Sequence, residues 1–585
     1  MLWPIRPNVM FAGIAILCVP MCGIAESQES RADSDQESPI YGVEVGSFLS
    51  ETRTTYSTVN GLPSNDVLSV AVTHDEEVYA ATTKGISKLV DGKWFAIAEY
   101  KTPVKLLAPH GEKLICTAET GLYLVDAATS TQLAALPESA VDPVNQHALI
   151  GGKQALLGTS TGLWRLDGDA LKPVDALNSL LGDEKEIRQI AVSHDERIAV
   201  AAAAGLFQSA PDGQWTSITP RDGSRSWAPV DVRGVAFDGN GRLWFASPQG
   251  VGVQDDEGWT LYTGQDGLPY NDFTTMSAGE GAVVWFGTRL GAIRYDGKIW
   301  EYHAAPRWLP DNLVRAIAVQ QDGTPWFATE HGLGAIERKP TTLDEKARFL
   351  EDEIDKYHRR TPYGYVHSVR LKDVADKREW TQSDSDNDGL WTAMYGAGEC
   401  FAYAATKDVK ARQRATAAFE ALRFLSQVTQ GGSNPAPRGF PARSILPTSG
   451  RNPNDGDTPE RDIKQQERDP QWKVLSPRWP TSADGKWYWK TDTSSDELDG
   501  HYFFYALYYD LVAETDAEKQ RVRDVVAAIT DHLIEHDYAL VDHDGKPTRW
   551  ARFGPGDLNH GEMLYQRGLN SLSILSYLKV AEHVT

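Results

Sequence analysis

Trp326-Phe327-Ala328-Thr329-Glu330-His331-Gly332 decides the fold of this chain: four residues of strand character, two polar residues and a glycine. The pattern recurs at Trp285-Phe286-Gly287-Thr288-Arg289-Leu290-Gly291 and at Trp244-Phe245-Ala246-Ser247-Pro248-Gln249-Gly250. Weaker copies stand at Ala204-Gly205-Leu206-Phe207, at 158–164, at 117–123 and at 80–86. The shared glycines fall at 85, 121, 162, 205, 250, 291 and 332, with spacings of 36, 41, 43, 45, 41 and 41. Four short strands per unit of ~40–45 residues match a propeller blade, whereas helical repeats would show a 3.6-residue period. The glycine suits a hairpin that needs positive φ. A seven-bladed β-propeller is therefore expected over 52–339.

Ring closure supports the count. Internal copies are followed by another strand, such as Trp259-Thr260-Leu261-Tyr262, but the seventh runs through Gly334–Lys339 into Pro340 and a helical pattern. Thr54-Thr55-Tyr56-Ser57 supplies the missing strand, which should complete the last blade and remove its open edge.

These repeats resemble the two-component regulator propeller family. The resemblance rests on Gly61-Leu62-Pro63-Ser64-Asn65-Asp66-Val67, Gly267-Leu268-Pro269-Tyr270-Asn271-Asp272-Phe273 and Leu309-Pro310-Asp311-Asn312-Leu313-Val314, together with the Trp-Phe-Gly-Thr and Gly-Leu elements. Blades one to four are degenerate, with Ala199–Ala204 replacing the Trp-Phe strand. Such propellers form periplasmic sensor regions of hybrid kinases and occur in other secreted proteins. No membrane span, kinase box or receiver domain follows the propeller in this sequence, so the resemblance implies the fold and not kinase activity.

The chain has 585 residues, a formal net charge of −23, and 18 Trp, 22 Tyr and 17 Phe. So many aromatics require burial, which excludes a disordered chain. The acidic balance excludes nucleic-acid binding through clustered cations. Residues 1–25 read as a signal peptide: Arg6, an apolar run from Val9 to Met21, and small Gly23 and Ala25 before a cut at Glu26. That run is too short to span a bilayer, which takes ~20 residues. A flexible segment is expected over 26–51, and a secreted or periplasmic location without stable membrane insertion. Cys18 and Cys22 leave with the signal; Cys116 and Cys400 remain in different regions, so no disulfide framework is expected.

From Thr341 the texture turns helical. Thr342-Leu343-Asp344-Glu345 offers a capped start, and helices are expected at 390–406, 410–429, 496–514, 516–537 and 566–583. Paired helices with aromatic, carboxylate-rich loops before them look like the α/α toroid of carbohydrate-active enzymes, over 340–585. A full toroid needs about twelve helices and roughly six are visible. The chain stops inside an amphipathic helix without a C-cap, so a truncated toroid is expected ahead of its alternative, a half-toroid.

Hydrolysis of a glycosidic bond needs two carboxyl groups. Asp388 and Glu497 precede separate helices and could act as base and acid, with Asp496 as substitute; capping is the structural alternative for Asp388 and Asp496. A lyase would use His501 and Tyr502 as base and acid, with Arg443 or Arg549 gripping a uronate carboxylate; packing is the alternative there. Asp384-x-Asp386-x-Asp388-Gly389 resembles the start of a calcium loop, but Tyr395 stands where an EF-hand needs Glu. The EF-hand reading therefore fails; a calcium loop of another kind at Asp384, Asp386 and Asp388 stands against a solvated acidic turn, and no other cofactor is expected. Trp472, Trp479, Trp487, Tyr488 and Trp489 could form a sugar platform, with core packing as the alternative, and Trp391 and Trp550 are further substrate-binding candidates. The expectation is a secreted protein that binds, and in one reading cleaves, a polysaccharide or oligosaccharide, with hydrolase ahead of lyase. The rival is a non-catalytic periplasmic sensor or scaffold.

Overall fold

The repeats fold into seven four-stranded antiparallel sheets, at 67–96, 104–135, 144–173, 187–217, 234–262, 273–303 and 314–342. The structure is a computed structural model describing residues 46–585, except 98–103, 111, 119–120, 126–129, 137–143, 151–153, 211–212, 373–376, 383 and 385. The expected signal peptide and residues 26–45 lie outside the described residues. The Trp-Phe-Ala/Gly-Thr segments are second strands, and those at Leu243–Ser247, Val284–Thr288 and Pro325–Thr329 are buried at every position. Both faces are covered because each sheet lies between two others, so the strand reads as an apolar run rather than an alternation.

The hairpin glycines Gly85, Gly162, Gly205, Gly250, Gly291 and Gly332 have φ between 117° and 146°. At several of these turns the Thr at the strand end also donates its hydroxyl to the glycine carbonyl: Thr288 to Gly291 and Thr329 to Gly332, both at 2.7 Å. A β-carbon on Gly332 would stand 2.6 Å from the carbonyl oxygen of Tyr56, so this glycine also admits the closing strand.

That strand, Ser47–Tyr56, pairs antiparallel with Gly332–Thr342, from Ser47 opposite Thr342 to Tyr56 opposite Leu333. It starts ahead of residue 52 because its partner continues past Lys339 and offers hydrogen-bonding groups to 47–51. Ser57 lies beyond the strand and caps the next turn. Across the closure Tyr56 stacks on Trp326 at 5.6 Å and meets the edge of Trp94 at 5.8 Å. The Asp of the Gly-Leu-Pro-x-Asn-Asp motif joins blades: Asp272 pairs with Arg233 and Asp66 with Arg315. Arg188 with Asp231 at 2.7 Å repeats the device one blade earlier.

The seventh blade leads directly into helix α1 (Leu343–Glu353), capped by Thr342 and Glu345 as the sequence suggests. The remaining helices are α2 (Asp388–Thr406), α3 (Val409–Val428), α4 (Pro459–Arg468), α5 (Ser495–Leu511), α6 (Asp516–Glu535), α7 (Pro555–His560) and α8 (Arg567–Val584). Helix α4 interrupts a stretch that reads as loop; it buries only Asp462, so no apolar period announces it. Helices α2, α5 and α8 form a front layer, with α3 and α6 packed behind. The front helices are parallel, since Gly500 approaches Leu390 while Gly396 approaches Phe504. On the other side, Tyr577 bonds to Asp499 at 2.5 Å and His583 to Asp510 at 2.9 Å. The front helices form an open layer rather than a closed ring among the described residues.

Candidate functional site

The loops preceding α2 and α5, the loop at 441–445, helix α4 and the hairpin 539–552 meet around one cavity of about 390 Å³. Its walls carry five cations, Arg443, Arg461, Arg478, Lys490 and Arg549, and four carboxylates, Asp386, Asp457, Asp462 and Asp492. Trp472 and Trp550 complete the lining relevant to chemistry.

The carboxylates are largely committed to holding the walls. Buried Asp462 accepts from Trp472 Nε1 at 2.9 Å, from Leu475 N at 3.1 Å and from Arg478 Nη2 at 2.9 Å. Asp492 sits at φ 56° and accepts from Arg549 N at 2.9 Å. Its own amide donates to buried Asp542 at 2.7 Å. Burial works against ionisation of Asp386, but Lys490 and Arg443 outweigh it and hold the carboxyl below its usual range.

The guanidinium groups are less fully used. Arg443 donates to two carbonyl oxygens, of Asp386 at 2.8 Å and Asp492 at 3.1 Å, while its Nη2 comes no nearer than 4.0 Å to the Asp386 carboxylate. Arg478 is 5% exposed, and its Nη1 lies 4.0 Å from Asp492, beyond a hydrogen bond. Arg549 lies over Trp550, 4.2 Å from the ring centre, and pairs through Nη2 with Asp469 at 2.6 Å. Its buried Nε has no hydrogen-bond partner. Stacking fixes the plane of a guanidinium and leaves its edge free for a planar anion.

Of the sequence candidates, Arg443, Arg549, Trp472, Trp550 and Asp386 line this cavity. The expected catalytic pair does not. Asp388 and Glu497 come together at the starts of α2 and α5, but both are wholly buried. Asp388 Oδ2 takes the Arg360 guanidinium, Ser444 Oγ at 3.0 Å and Ile445 N at 3.2 Å. Glu497 Oε2 accepts from Leu390 N at 3.1 Å and stands 3.9 Å from His501 Nε2. Gly389 seals the pair: a β-carbon there would meet Glu497 Oε2 at 2.2 Å and His501 Nε2 at 2.7 Å.

His501 is also wholly buried and bonds through Nδ1 to Tyr505 at 2.8 Å. Tyr502 bonds to Thr530 and stacks on Tyr577 at 4.5 Å, which is packing. Asp496 accepts from Asn387 Nδ2 at 2.8 Å. Trp489 is fully buried against Phe440, Trp487 packs against the stacked pair Tyr363 and Phe424, and Trp391 lies on the open side of α2. The calcium-loop carboxylates diverge: Asp384 and Asp386 both pair with Lys490, while Asp388 turns to Arg360. Among the described residues no group of three or more His, Cys, Asp or Glu is placed to hold a metal ion. Arg478, Lys490, Asp462 and Asp492 went unread because single charges scattered over 462–492 form no motif.

Burial gives Glu497 and His501 opposite pH signatures. It raises the Glu497 carboxyl well above 4.5, so the fold keeps a proton that the unfolded chain releases. That contribution is full below pH 4.5 and is lost as pH rises through the folded value. Burial also lowers His501 from 6.5 to about 3, so its contribution is present above pH 6.5 and lost as pH falls towards about 3. Glu497→Gln should therefore unfold about 3 °C or more above the parent at pH 7.5 and close to it at pH 4.5. Thermal melts at both pH values check this, and a pH-independent offset would count against it.

No family model matches the chain, and no curated protein matches it. Solved structures do. A streptogramin B lyase is similar over 50% of this chain and 98% of its own, at 16% identity and a TM-score of 0.40. Virginiamycin B lyase from Staphylococcus aureus is similar over 49% of this chain and 99% of its own, at 14% identity and a TM-score of 0.39. The extracellular domain of the hybrid two-component system BT4673 from B. thetaiotaomicron is similar over 49% of this chain and 40% of its own, at 17% identity and a TM-score of 0.40. These likenesses concern the propeller fold. No helix among the described residues is long and apolar enough to cross a membrane.

Proposed function

We propose that this is an exported protein that binds an acidic polysaccharide or oligosaccharide in the cavity of its helical region, with the propeller as its rigid platform. One observation carries the reading: Arg443, Arg478 and Arg549 line one cavity, where Arg443 Nη2 and Arg478 Nη1 stand 4.0 Å from the nearest carboxylate and Arg549 Nε has no hydrogen-bond partner. Partly dried guanidinium groups favour carboxylate or sulfate, which accept two parallel hydrogen bonds. Trp472 and Trp550 offer apolar edges to a sugar ring beside that anion. The burial of Asp388, Glu497 and His501 favours binding over cleavage. The two-component regulator character of the propeller rests on its Gly-Leu-Pro-x-Asn-Asp motifs.

Calorimetric titration with polygalacturonate, alginate oligosaccharides, chondroitin sulfate and neutral dextran oligosaccharides tests the proposal. Binding of at least one acidic glycan and not of dextran is expected. Arg443→Ala and Arg549→Ala should each weaken that binding about 10- to 100-fold, at ~1.5–3 kcal/mol per charged hydrogen bond. Equal affinity for dextran, or no binding to any of the four, would overturn it. Reducing ends and absorbance at 235 nm, followed in the same samples, should stay flat.

A further inference from the structure

The walls of the cavity in the helical region are tied to one another in a closed circuit. Arg443 donates to the carbonyl of Asp386 at 2.8 Å and to that of Asp492 at 3.1 Å, which joins three loops. Lys490 pairs with Asp386 and lies over the Trp479 ring, 5.0 Å from its centre. Trp479 Nε1 donates to Asp457 at 2.9 Å, just ahead of helix α4. Past the other end of α4, Asp469 takes Arg549 Nη2 at 2.6 Å. The circuit closes where Arg549 N donates to Asp492 at 2.9 Å. A second tie doubles the α4 side, since Lys473 Nζ reaches Asp544 at 3.0 Å and the Lys546 carbonyl at 3.1 Å.

Among the described residues such a circuit leaves the cavity a single mouth. A groove that takes the middle of a polymer needs two open ends, and here each wall is joined to the next. The volume agrees: 390 Å³ is at the small end of the ~300–1,000 Å³ usual for ligand pockets, room for about one to two sugar rings. The charges are also sorted by depth. The side chains of Arg443, Arg478, Lys490 and Arg549 are only 16%, 6%, 14% and 13% exposed. Asp386 and Arg461, at 52% and 67%, stand at the mouth, where Asp457 already engages Arg461 at 2.6 Å. An anion therefore finds the incompletely paired Arg443, Arg478 and Arg549 only at the bottom, and one held at the mouth meets the Asp386 carboxylate.

We propose that this cavity is a blind socket for the end of an acidic glycan chain, an inference that rests on the acidic-glycan reading above. It takes one terminal anionic sugar and admits no chain interior. The carboxylate or sulfate of that sugar lies against Arg443, Arg478 and Arg549, whose guanidinium groups can donate to it in pairs. Its ring lies beside Trp472 and Trp550, and the next sugar already stands at the mouth. Length beyond that adds no contact, and each chain offers a single end of the right kind.

Calorimetric titration of the full chain with size-fractionated oligomers of the acidic glycan that binds, from two units to twelve, tests the socket. One protein per oligomer is expected at every length, with a dissociation constant per chain that stays within about threefold. A groove would read every register, so affinity per chain would rise with length and the longer oligomers would carry two or more proteins. The two chain ends should also differ. Borohydride reduction alters the reducing end, and digestion by a lyase leaves an unsaturated sugar at the other. One of these changes should weaken binding at least about 10-fold and the other should leave it unchanged. More than one protein per chain, or binding indifferent to both changes, would overturn the socket and leave acidic-glycan binding standing. No binding of polygalacturonate, alginate or chondroitin sulfate would overturn both.

Discussion

A chain that begins at Thr58 should fail to close its propeller, whereas one that begins at Gly46 keeps the closing strand and should fold. The strand lost in the first case, Ser47–Tyr56, makes ten paired positions with Gly332–Thr342. Its removal leaves the ten residues Leu333–Thr342 unpaired on that edge, and such an edge invites pairing with other chains. The loss goes beyond backbone bonds. Tyr56 is 8% exposed and sits between Trp326 and Trp94, where it joins the last blade to the first. Glu51 pairs with His303 at 2.9 Å, and Arg53 donates to the Pro306 carbonyl. Size-exclusion chromatography and circular dichroism of the two truncations check the expectation: aggregate from the first, a single folded species from the second. Tyr56→Ala is the graded version and should cost about 3–5 kcal/mol of propeller stability, the usual range for an aromatic removed from a core. A Thr58 start that melts at the full chain's temperature would refute the closure argument.

The contrast between that strand and the candidate site shows what a sequence can carry. The blade repeat is legible because it is written seven times, and six of the copies place a glycine at positive φ. The closing strand was legible by subtraction, since the seventh unit lacked its last strand and the first was preceded by a spare one. Front and back helices were legible within a few residues through their apolar period. The site was not legible in the same way. Asp388 and Glu497 stand at helix starts, which is equally where a catalytic carboxyl and a capping or clamping one would stand. What separates the two is burial. That depends on Arg360, which lies in a short strand at 359–360 without any motif, and on Gly389, whose missing β-carbon lets α2 close over Glu497. The cavity cations were half legible: Arg443 and Arg549 stood beside aromatic loops, but Arg478 and Lys490 reach the same space only through the winding of 441–494. Trp489 and Trp391 show the same limit from the other side, since an aromatic in a polar loop and one on a helix read alike until packing is known.

Arg360→Met should destabilise the helical region by about 3–5 kcal/mol, the range for removing one partner of a buried ion pair. Arg360 is 7% exposed and Asp388 is fully buried. Besides the pair itself, Arg360 donates to the Ile445 carbonyl at 2.6 Å and to Ser444 Oγ at 3.0 Å, so it ties the 441–445 loop to the start of α2. Burial already raises the Asp388 carboxyl, with Arg360 acting against that rise. Without Arg360 the carboxyl rises further and stays protonated in the fold. A raised carboxyl contributes stability that is full below its unfolded value of 3.8 and is lost as pH rises through the folded value. The deficit of Arg360→Met relative to the parent should therefore be small near pH 4 and grow towards pH 7. Urea unfolding at both pH values measures it. A deficit equal at pH 4 and pH 7 would mean that lost packing, and not an unpaired carboxylate, is the cause. Adding Asp388→Leu should recover part of the loss only, because Ser444 Oγ and Ile445 N then lack their acceptor. Arg443 lies next to Ser444 in the same loop, so Arg360→Met should also weaken binding of an acidic glycan, while Asp388→Asn, which keeps an acceptor oxygen for the loop, should weaken it less.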